Sequence, residues 1–175
     1  NKFLNNKKKS KKNDKSIKLI TVARYAIKKK GYDLVPQLTK LFNKNKIDFK
    51  WTIIGKDTSK LYNEKIVFEN KKNFKILENI YSNQELYFPN IKIINEYKNS
   101  DFYINLSRIE SFGITFIEAI ASNIPIITFD SKGANEIVKN NLNGIIIKDM
   151  KIETMFKKIV HFKKNQKNFR KKVFI

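Results

Sequence analysis

Short apolar runs alternate with segments of helical periodicity along most of the chain. Apolar, β-branched runs of this kind are typical of strands that are buried on both faces of a sheet. They occur at Ile17–Ala23, Phe49–Ile54, Asp101–Leu106, Pro125–Phe129 and Ile145–Lys148, with a weaker candidate at Glu85–Phe88.

Between these runs, apolar residues recur every three or four positions, which predicts helices. The predicted helices lie within Gly31–Asn45 and at Phe74–Tyr81, Ile93–Asn99, Gly113–Ser122, Ala134–Lys139 and Ile152–Lys164. The alternation predicts an α/β fold, a Rossmann-like parallel sheet with helices on both faces. Ligands of such sheets bind at the carboxyl ends of the strands, so functional residues are sought in the strand-to-helix loops.

Composition excludes several classes of protein. The length of 175 residues suits one compact domain, and a hydrophobic content of 41% excludes disorder throughout. Without Cys there is no disulfide framework, Cys-ligated zinc or thiol nucleophile. No apolar run is long enough to span a membrane, and no signal peptide is recognisable. Because the first residue is Asn rather than Met, we expect a piece of a longer protein.

The net charge of +21 lies mainly at the two ends of the chain. Residues 1–18 carry a net +7 and residues 157–172 a net +8. We expect residues 1–16 to be a basic flexible arm or interdomain linker, with an anionic membrane surface as a further candidate partner. A charge-driven nucleic-acid-binding α/β domain is an alternative. It is disfavoured because only three of the 37 cations are Arg, so no nucleic-acid partner is expected.

Two strand-to-helix loops carry candidate chemistry. In the first, Arg24 and Lys30 lie beside a predicted helix start, where free N–H groups already favour anions. The second runs from Glu110 to Glu118, and Gly113 in it allows close approach to the backbone. Glu118 lies on a core-facing helix, where a carboxylate is costly unless it has partners such as ribose hydroxyls or a basic side chain. By residue chemistry the two loops predict a site for phosphate and sugar.

These loops resemble a known family. Glu110 and Glu118, with seven residues between them, resemble the paired-glutamate motif of retaining GT-B glycosyltransferases of the GT4 type, also called glycosyl transferases group 1. Further segments resemble that family in order: Arg24 with Lys30-Gly31, Ser107-x-x-Glu110-x-Phe112-Gly113-Ile114, Ile124–Ile127, Gly133–Val138 and Asn143-Gly144. Ser111 and Asn123 replace glycines that are common in the family.

The resemblance implies a nucleotide-sugar donor-binding domain over residues 17–175, one half of a GT-B fold, with the acceptor-binding N-terminal domain absent. Arg24, Lys30 and Glu110 would be the catalytic residues, the two cations holding the donor diphosphate and Glu110 facing the sugar hydroxyls. Glu118 would bind the ribose hydroxyls. Four further residues would contact the donor: Phe112, Gly113, Ile114 and Thr115. No metal or other cofactor is expected, and the base-contacting residues near Phe88–Ile91 are not assigned.

The implied reaction moves a sugar from a nucleotide diphosphate to an acceptor hydroxyl with retention at the anomeric carbon. The family setting is surface polysaccharide or glycolipid synthesis in the cytoplasm, peripheral to the inner membrane face. The expected partners are a nucleotide sugar and the missing N-terminal domain, and we expect no transfer by this chain alone. A sugar-nucleotide epimerase of GT-B architecture is a second alternative. It is disfavoured because His161, the sole histidine, lies on the last predicted helix.

Overall fold

The computed structural model describes residues 15–78 and 90–165, which form one parallel sheet with helices on both faces. The strands are β1 Ile17–Val22, β2 Phe49–Ile54, β3 Phe74–Leu77, β4 Phe102–Asn105, β5 Ile126–Phe129 and β6 Gly144–Ile147. The helices are α1 Val35–Lys44, α2 Lys65–Glu69, α3 Ile91–Lys98, α4 Ile114–Ala121, α5 Lys132–Ile137 and α6 Ile152–Lys164. Three short 3₁₀ turns occupy Tyr32–Leu34, Thr58–Asn63 and Lys71–Asn73.

The strand order is β3-β2-β1-β4-β5-β6, and every pair is parallel. The chain builds outward from β1 through β2 to β3, and then returns to add β4 on the other side of β1. The crossover direction therefore reverses between β1 and β4. In open parallel sheets this switch point leaves a crevice at the carboxyl ends of the two strands, and ligands bind there.

Alternate residues of the strands supply two cores, one on each face of the sheet. In β1, Leu19 belongs to the core under α1, α2 and α6, while Ile20 belongs to the core under α3, α4 and α5. Aromatic rings fill the first core, where Phe42 of α1 stacks on Phe49 and meets Phe156 of α6 edge-on. Burial on both faces explains why the strands are mostly apolar, and the predicted α/β fold is confirmed.

Most predicted elements are confirmed, with ends that shift by one or two residues. The predicted short helix at Ala134–Lys139 begins earlier, at Lys132, because the Ser131 side chain accepts a hydrogen bond from the N–H of Ala134 at 3.3 Å and caps the helix. Asn123, which replaces a glycine common in the resembled family, adopts a left-handed conformation with φ 55° just after α4.

The predicted helix at Phe74–Tyr81 is wrong, because Phe74–Leu77 forms strand β3. Phe74 packs against Trp51 and Phe49 of the neighbouring strand, with ring centroids 6.0 and 5.8 Å apart. Pairing with β2 therefore outweighs the local periodicity. The predicted strand at Glu85–Phe88 and residues 1–14 of the predicted arm lie outside the described residues.

Across residues 15–78 and 90–165, no helix combines the length and the apolar character that crossing a bilayer requires.

Candidate functional site

A cavity of about 430 Å³ lies at the carboxyl ends of β1 and β4, the switch point of the sheet. Its walls come from the end of β1, the loop after it, the end of β4 and the loop that leads into α4. The lining residues are Thr21, Val22, Ala23, Arg24, Lys30, Tyr103, Asn105, Leu106, Ser107, Glu110, Ser111, Phe112, Gly113, Ile114 and Thr115. The two loops singled out in the sequence therefore meet in one cavity.

Seven of the eight predicted site residues line this cavity: Arg24, Lys30, Glu110, Phe112, Gly113, Ile114 and Thr115. The eighth, Glu118, is not among the lining residues and lies one helical turn further along α4. The structure thus brings together loops that are about eighty residues apart in the chain, and places Glu118 behind the wall that they form.

An ion pair between Lys30 and Glu110 joins the two loops across the cavity. The Lys30 Nζ donates to Glu110 Oε2 at 2.7 Å, and the two side chains are only 20% and 15% exposed. A pair that is this sheltered is screened less by solvent than a surface pair. The two groups are held at contact distance, so a ligand that carries both negative charge and hydroxyls could engage them together.

Arg24 adds a second cation to the cavity. Its side chain is exposed, and among the described residues it has no hydrogen bond or ion pair. A guanidinium in this position can donate two parallel hydrogen bonds to a phosphate. Phe112 and Ile114 are also exposed at the rim of the cavity, where they present apolar surface.

Gly113 sets the start of α4 at the cavity wall. Its φ of 72° is left-handed, and a Cβ on it would lie 2.3 Å from the ring of Phe116, so only glycine fits. The first N–H groups of the helix have no acceptor within the helix and favour an anion. The left-handed backbone and the Phe116 ring explain why this position is glycine, and the close approach of a ligand to Gly113 stays a prediction.

The loop between β4 and α4, residues 106–113 (the Glu110 loop), is held in position by a contact with α5. The N–H of Gly133 donates to the carbonyl of Glu110 at 2.9 Å. A Cβ on Gly133 would lie 3.1 Å from backbone atoms of Glu110 and Ser111, so a larger residue would push the loop towards the cavity. The Gly133 segment, which the sequence singled out only by resemblance, therefore supports the loop.

Glu118 is a buried carboxylate, as its position on a core-facing helix predicted. It is 8% exposed, and its Oε2 accepts a hydrogen bond from the hydroxyl of Tyr97 at 3.1 Å. Burial raises the pKa of Glu118, and the bond from Tyr97 offsets part of that rise. The Tyr97 hydroxyl also lies 3.3 Å from the carbonyl of Thr115, which connects Glu118 to the cavity wall.

A polar network in the cavity wall was not identified from the sequence, apart from Thr115. The Tyr103 hydroxyl donates to Thr115 Oγ1 at 2.7 Å, and the Asn105 side chain accepts from the N–H of Ser107 at 2.7 Å. Burial raises the pKa of Tyr103, which stays a protonated donor. Tyr103 and Asn105 lie in β4, which was recognised by its apolar pattern, and nothing in that pattern marked their hydroxyl and amide as lining a site.

Arg108 and Asp33 form a second link between the two loops, which the sequence analysis also missed. Two guanidinium nitrogens of Arg108 donate to the two carboxylate oxygens of Asp33 at 2.8 and 2.9 Å. Burial opposes ionisation of Asp33, but the bonds and charge of Arg108, with a smaller part from Lys28, lower the pKa of Asp33. The one signal in the sequence was an Arg in a chain whose other cations are almost all Lys.

Among the described residues, no group of three or more His, Asp and Glu side chains could hold a metal ion. The expectation that no metal or other cofactor is needed stays a prediction. His161 is exposed on α6, where its ring meets Phe162 edge-on, and it does not line the cavity.

A family model described as "Glycosyl transferases group 1" matches residues 2–173. Alpha-monoglucosyldiacylglycerol synthase of Acholeplasma laidlawii is 30% identical over 146 residues, which cover 83% of this chain and 34% of that protein. Poly(glycerol-phosphate) alpha-glucosyltransferase of Bacillus subtilis (strain 168) is 28% identical over 78 residues, which cover 44% of this chain and 12% of that protein.

The fold is similar to that of TarM. One crystal structure of TarM superposes with a TM-score of 0.70 and 24% identity, covering 93% of this chain and 32% of that one. A mutant TarM of S. aureus, in complex with Fondaparinux, alpha-GlcNAc-glycerol and UDP, gives a TM-score of 0.69 and 20% identity, covering 91% and 31%. The chain spans about a third of the length of TarM and of the A. laidlawii relative.

Proposed function

The chain belongs to the group 1 glycosyltransferases, and from that premise we propose that residues 17–175 bind the nucleotide-sugar donor in the cavity at the switch point. The observation that carries the proposal is the Lys30–Glu110 ion pair, in a cavity that Arg24 and the start of α4 also line. These groups combine positive charge for a diphosphate with a carboxylate for sugar hydroxyls.

In the proposed reaction, the bond between the sugar and the diphosphate breaks, and negative charge grows on the departing phosphate oxygen. Arg24, Lys30 and the N–H groups at the start of α4 stabilise that charge, which lowers the energy of the transition state. Glu110 accepts hydrogen bonds from hydroxyls of the donor sugar. Phe112, Gly113, Ile114 and Thr115 form the wall against which the donor lies.

We assign Glu118 to the ribose of the nucleotide. Its carboxylate has one hydrogen bond from Tyr97 among those described, and two oxygens have capacity for more. The cavity does not include Glu118, so this assignment requires that ribose reach past Thr115 along α4.

For the whole protein, we propose transfer with retention to an acceptor hydroxyl that a further, N-terminal domain binds. The names of the A. laidlawii and B. subtilis relatives refer to diacylglycerol and to poly(glycerol-phosphate), which supports glycolipid or surface polysaccharide synthesis as the setting. Membership of the family favours transfer over the epimerase and the nucleic-acid-binding alternatives. Because the acceptor site lies elsewhere, we expect this chain alone to bind donor without transferring sugar.

A binding screen of UDP-, GDP- and ADP-sugars tests the proposal, with UDP-sugars first because a similar structure contains UDP. Lys30→Ala should weaken the binding of the tightest ligand about tenfold or more, since it removes a positive charge that contacts the diphosphate. Lys75→Ala is the matched control, because Lys75 also forms an ion pair, with Glu96, but does not line the cavity. No binding of any donor, or equal effects of the two variants, would overturn the assignment of this site.

We also propose that the chain contacts an anionic membrane surface, from the cytoplasm at the inner face. The exposed sides of α1 and α6 carry five lysines without an acidic partner among the described residues: Lys40, Lys44, Lys157, Lys158 and Lys164. Each basic residue near an anionic bilayer contributes about 1 kcal/mol. Co-sedimentation with phosphatidylglycerol vesicles should exceed that with phosphatidylcholine vesicles and fall with salt; equal sedimentation would contradict the proposal.

A further inference from the structure

We propose that Arg108 and Asp33 are positioning residues for the donor site. They hold the segment after β1, residues 23–34 (the Lys30 loop), at a fixed position relative to the Glu110 loop. The inference rests on the proposed donor site and adds to it the part that sets its geometry. Neither residue lines the cavity, so both act through the residues that do.

Arg108 contacts the Lys30 loop at four points. Its two terminal nitrogens donate to the carboxylate of Asp33 at 2.8 and 2.9 Å, and one of them also donates to the carbonyl of Lys28 at 2.8 Å. Its backbone N–H donates to the carbonyl of Lys29 at 3.1 Å. A single residue therefore bonds both the backbone and a side chain of the opposite loop.

These contacts flank Lys30 on both sides along the chain. Lys28 and Lys29 precede it, and Asp33 follows it in the 3₁₀ turn. Between Lys30 and that turn lies Gly31, where a Cβ would come within 2.1 Å of the carbonyl oxygen of Leu106. The backbone that carries Lys30 is thus pressed against the β4–α4 loop and cannot shift without breaking bonds to Arg108.

The same residue is connected to the other half of the ion pair. Glu110 lies two positions after Arg108, and its own carbonyl is bonded to the N–H of Gly133. Fixing Arg108 to Asp33 therefore fixes the distance between the Lys30 backbone and the Glu110 backbone. Because a long lysine side chain loses rotamer freedom when it binds, a pre-set anchor reduces the entropy lost on donor binding.

The geometry requires Arg at position 108. A planar guanidinium can donate two parallel bonds to a carboxylate and still donate to a carbonyl, whereas the ammonium of Lys is a single point charge. Arg108→Lys keeps the charge and loses the paired bonds. Asp33→Asn keeps the shape and loses the charge, and Asp33→Glu keeps both carboxylate oxygens on a longer side chain.

The experiment separates affinity for the diphosphate from affinity for the rest of the nucleotide. For the wild-type chain, calorimetry with UDP, GDP and ADP identifies the tightest nucleoside diphosphate. The dissociation constants of that ligand, its nucleoside and inorganic pyrophosphate are then measured for Arg108→Lys, Asp33→Asn, Asp33→Glu and the double variant Arg108→Lys/Asp33→Asn. Glu96→Gln, which breaks the remote ion pair with Lys75, is the matched control, and thermal unfolding is recorded for each.

We expect Arg108→Lys and Asp33→Asn each to weaken the binding of nucleoside diphosphate and of pyrophosphate by about tenfold. The affinity for the nucleoside should stay within about twofold of wild type. The double variant should bind no worse than the weaker single variant, because both changes remove the same contact. Asp33→Glu should retain part of the affinity for diphosphate and provides the same test if an Arg108 variant fails to fold. Glu96→Gln should leave all three dissociation constants unchanged.

Equal losses of affinity for the nucleoside and the nucleoside diphosphate, or no loss of affinity for either, would overturn the positioning role. A contact that only stabilises the fold cannot discriminate between parts of one ligand. Failure of the proposed donor site has a different signature. In that case the wild-type chain binds none of the three nucleoside diphosphates, or Lys30→Ala binds them as tightly as wild type.

Discussion

Glu118→Gln should lower affinity for the nucleotide and at the same time raise the stability of the fold. The Glu118 carboxylate is 8% exposed, and burial disfavours its charged form. Gln has nearly the same shape and keeps an oxygen that can accept the hydrogen bond from Tyr97. The substitution therefore removes the buried charge and leaves the packing of α4 intact.

The loss of affinity follows from the hydrogen bonds assigned to the ribose. A hydrogen bond to a charged acceptor contributes about 1.5–3 kcal/mol, so losing one should raise the dissociation constant roughly 10- to 100-fold. The gain in stability has the opposite origin. The folded-state pKa of Glu118 lies above its ordinary value, so at neutral pH the ionised group opposes folding, and Gln removes that cost.

The dependence on pH separates the two effects. Ribose hydroxyls form stronger hydrogen bonds to an ionised acceptor than to a neutral one, so wild-type affinity should fall as the pH drops through the raised pKa of Glu118. The stability advantage of Glu118→Gln should shrink over the same range, because the wild-type carboxyl becomes neutral as well. The Gln variant should show neither dependence at this site.

Isothermal calorimetry with the tightest nucleoside diphosphate, and urea unfolding, both between about pH 8 and pH 4.5, measure these quantities. Thr154→Val is a control that alters a hydrogen bond on α6, away from the cavity. Equal affinity of wild type and Glu118→Gln at neutral pH would refute the ribose assignment. A variant that binds normally but unfolds more readily would show instead that Glu118 is a structural partner of Tyr97.

Three further changes test the cavity and its support. Glu110→Gln should release Lys30 from its ion pair, so pyrophosphate should bind several-fold more tightly while the nucleotide sugar binds more weakly, as measured by calorimetry; a parallel change in both affinities would contradict this. Gly31→Ala should lower the free energy of unfolding by more than about 1–2 kcal/mol, because φ is 70° and a Cβ would lie 2.1 Å from Leu106 O. Gly133→Ala, with a nearest approach of 3.1 Å and no left-handed φ, should cost less in the same urea titration, and the reverse order would refute the geometric argument.

The fold could be predicted from the sequence wherever the burial of an element produces a recognisable pattern of apolar residues. Strands that are covered on both faces are mostly apolar, so a run such as Phe49–Ile54, in which Lys50 is the one exposed residue, can be recognised without knowing its neighbours. Strand β3 is different, because only its first residue, Phe74, is fully buried and its partners Phe49 and Trp51 are more than twenty positions away. Its pairing is a tertiary effect, and local spacing suggested a helix instead.

The candidate site divides in the same way. Gly113 and Glu118 violate the local pattern of their helix, one by its missing side chain and the other by its charge, and such violations can be read from one sequence. Arg108 and Asp33 violate no local pattern, since one lies in the loop after β4 and the other in the 3₁₀ turn before α1, and their bond spans 75 positions. A contact of this kind can be recognised only when the sheet brings the two segments together.

The net charge of the chain and the chemistry of the cavity have different effects on ligand binding. A net charge of +21 attracts any anion over a distance that salt screens, and so it acts on the rate of encounter with anionic ligands in general. Within the cavity, Lys30 is paired with one carboxylate, Glu110, and Arg24 lines the same cavity. A lone phosphate would gain from the two cations but would meet repulsion from Glu110, whereas a diphosphate joined to a sugar presents charge to one side and hydroxyls to the other. The carboxylate, rather than the excess of lysine, is therefore the feature that favours a nucleotide sugar over other anions.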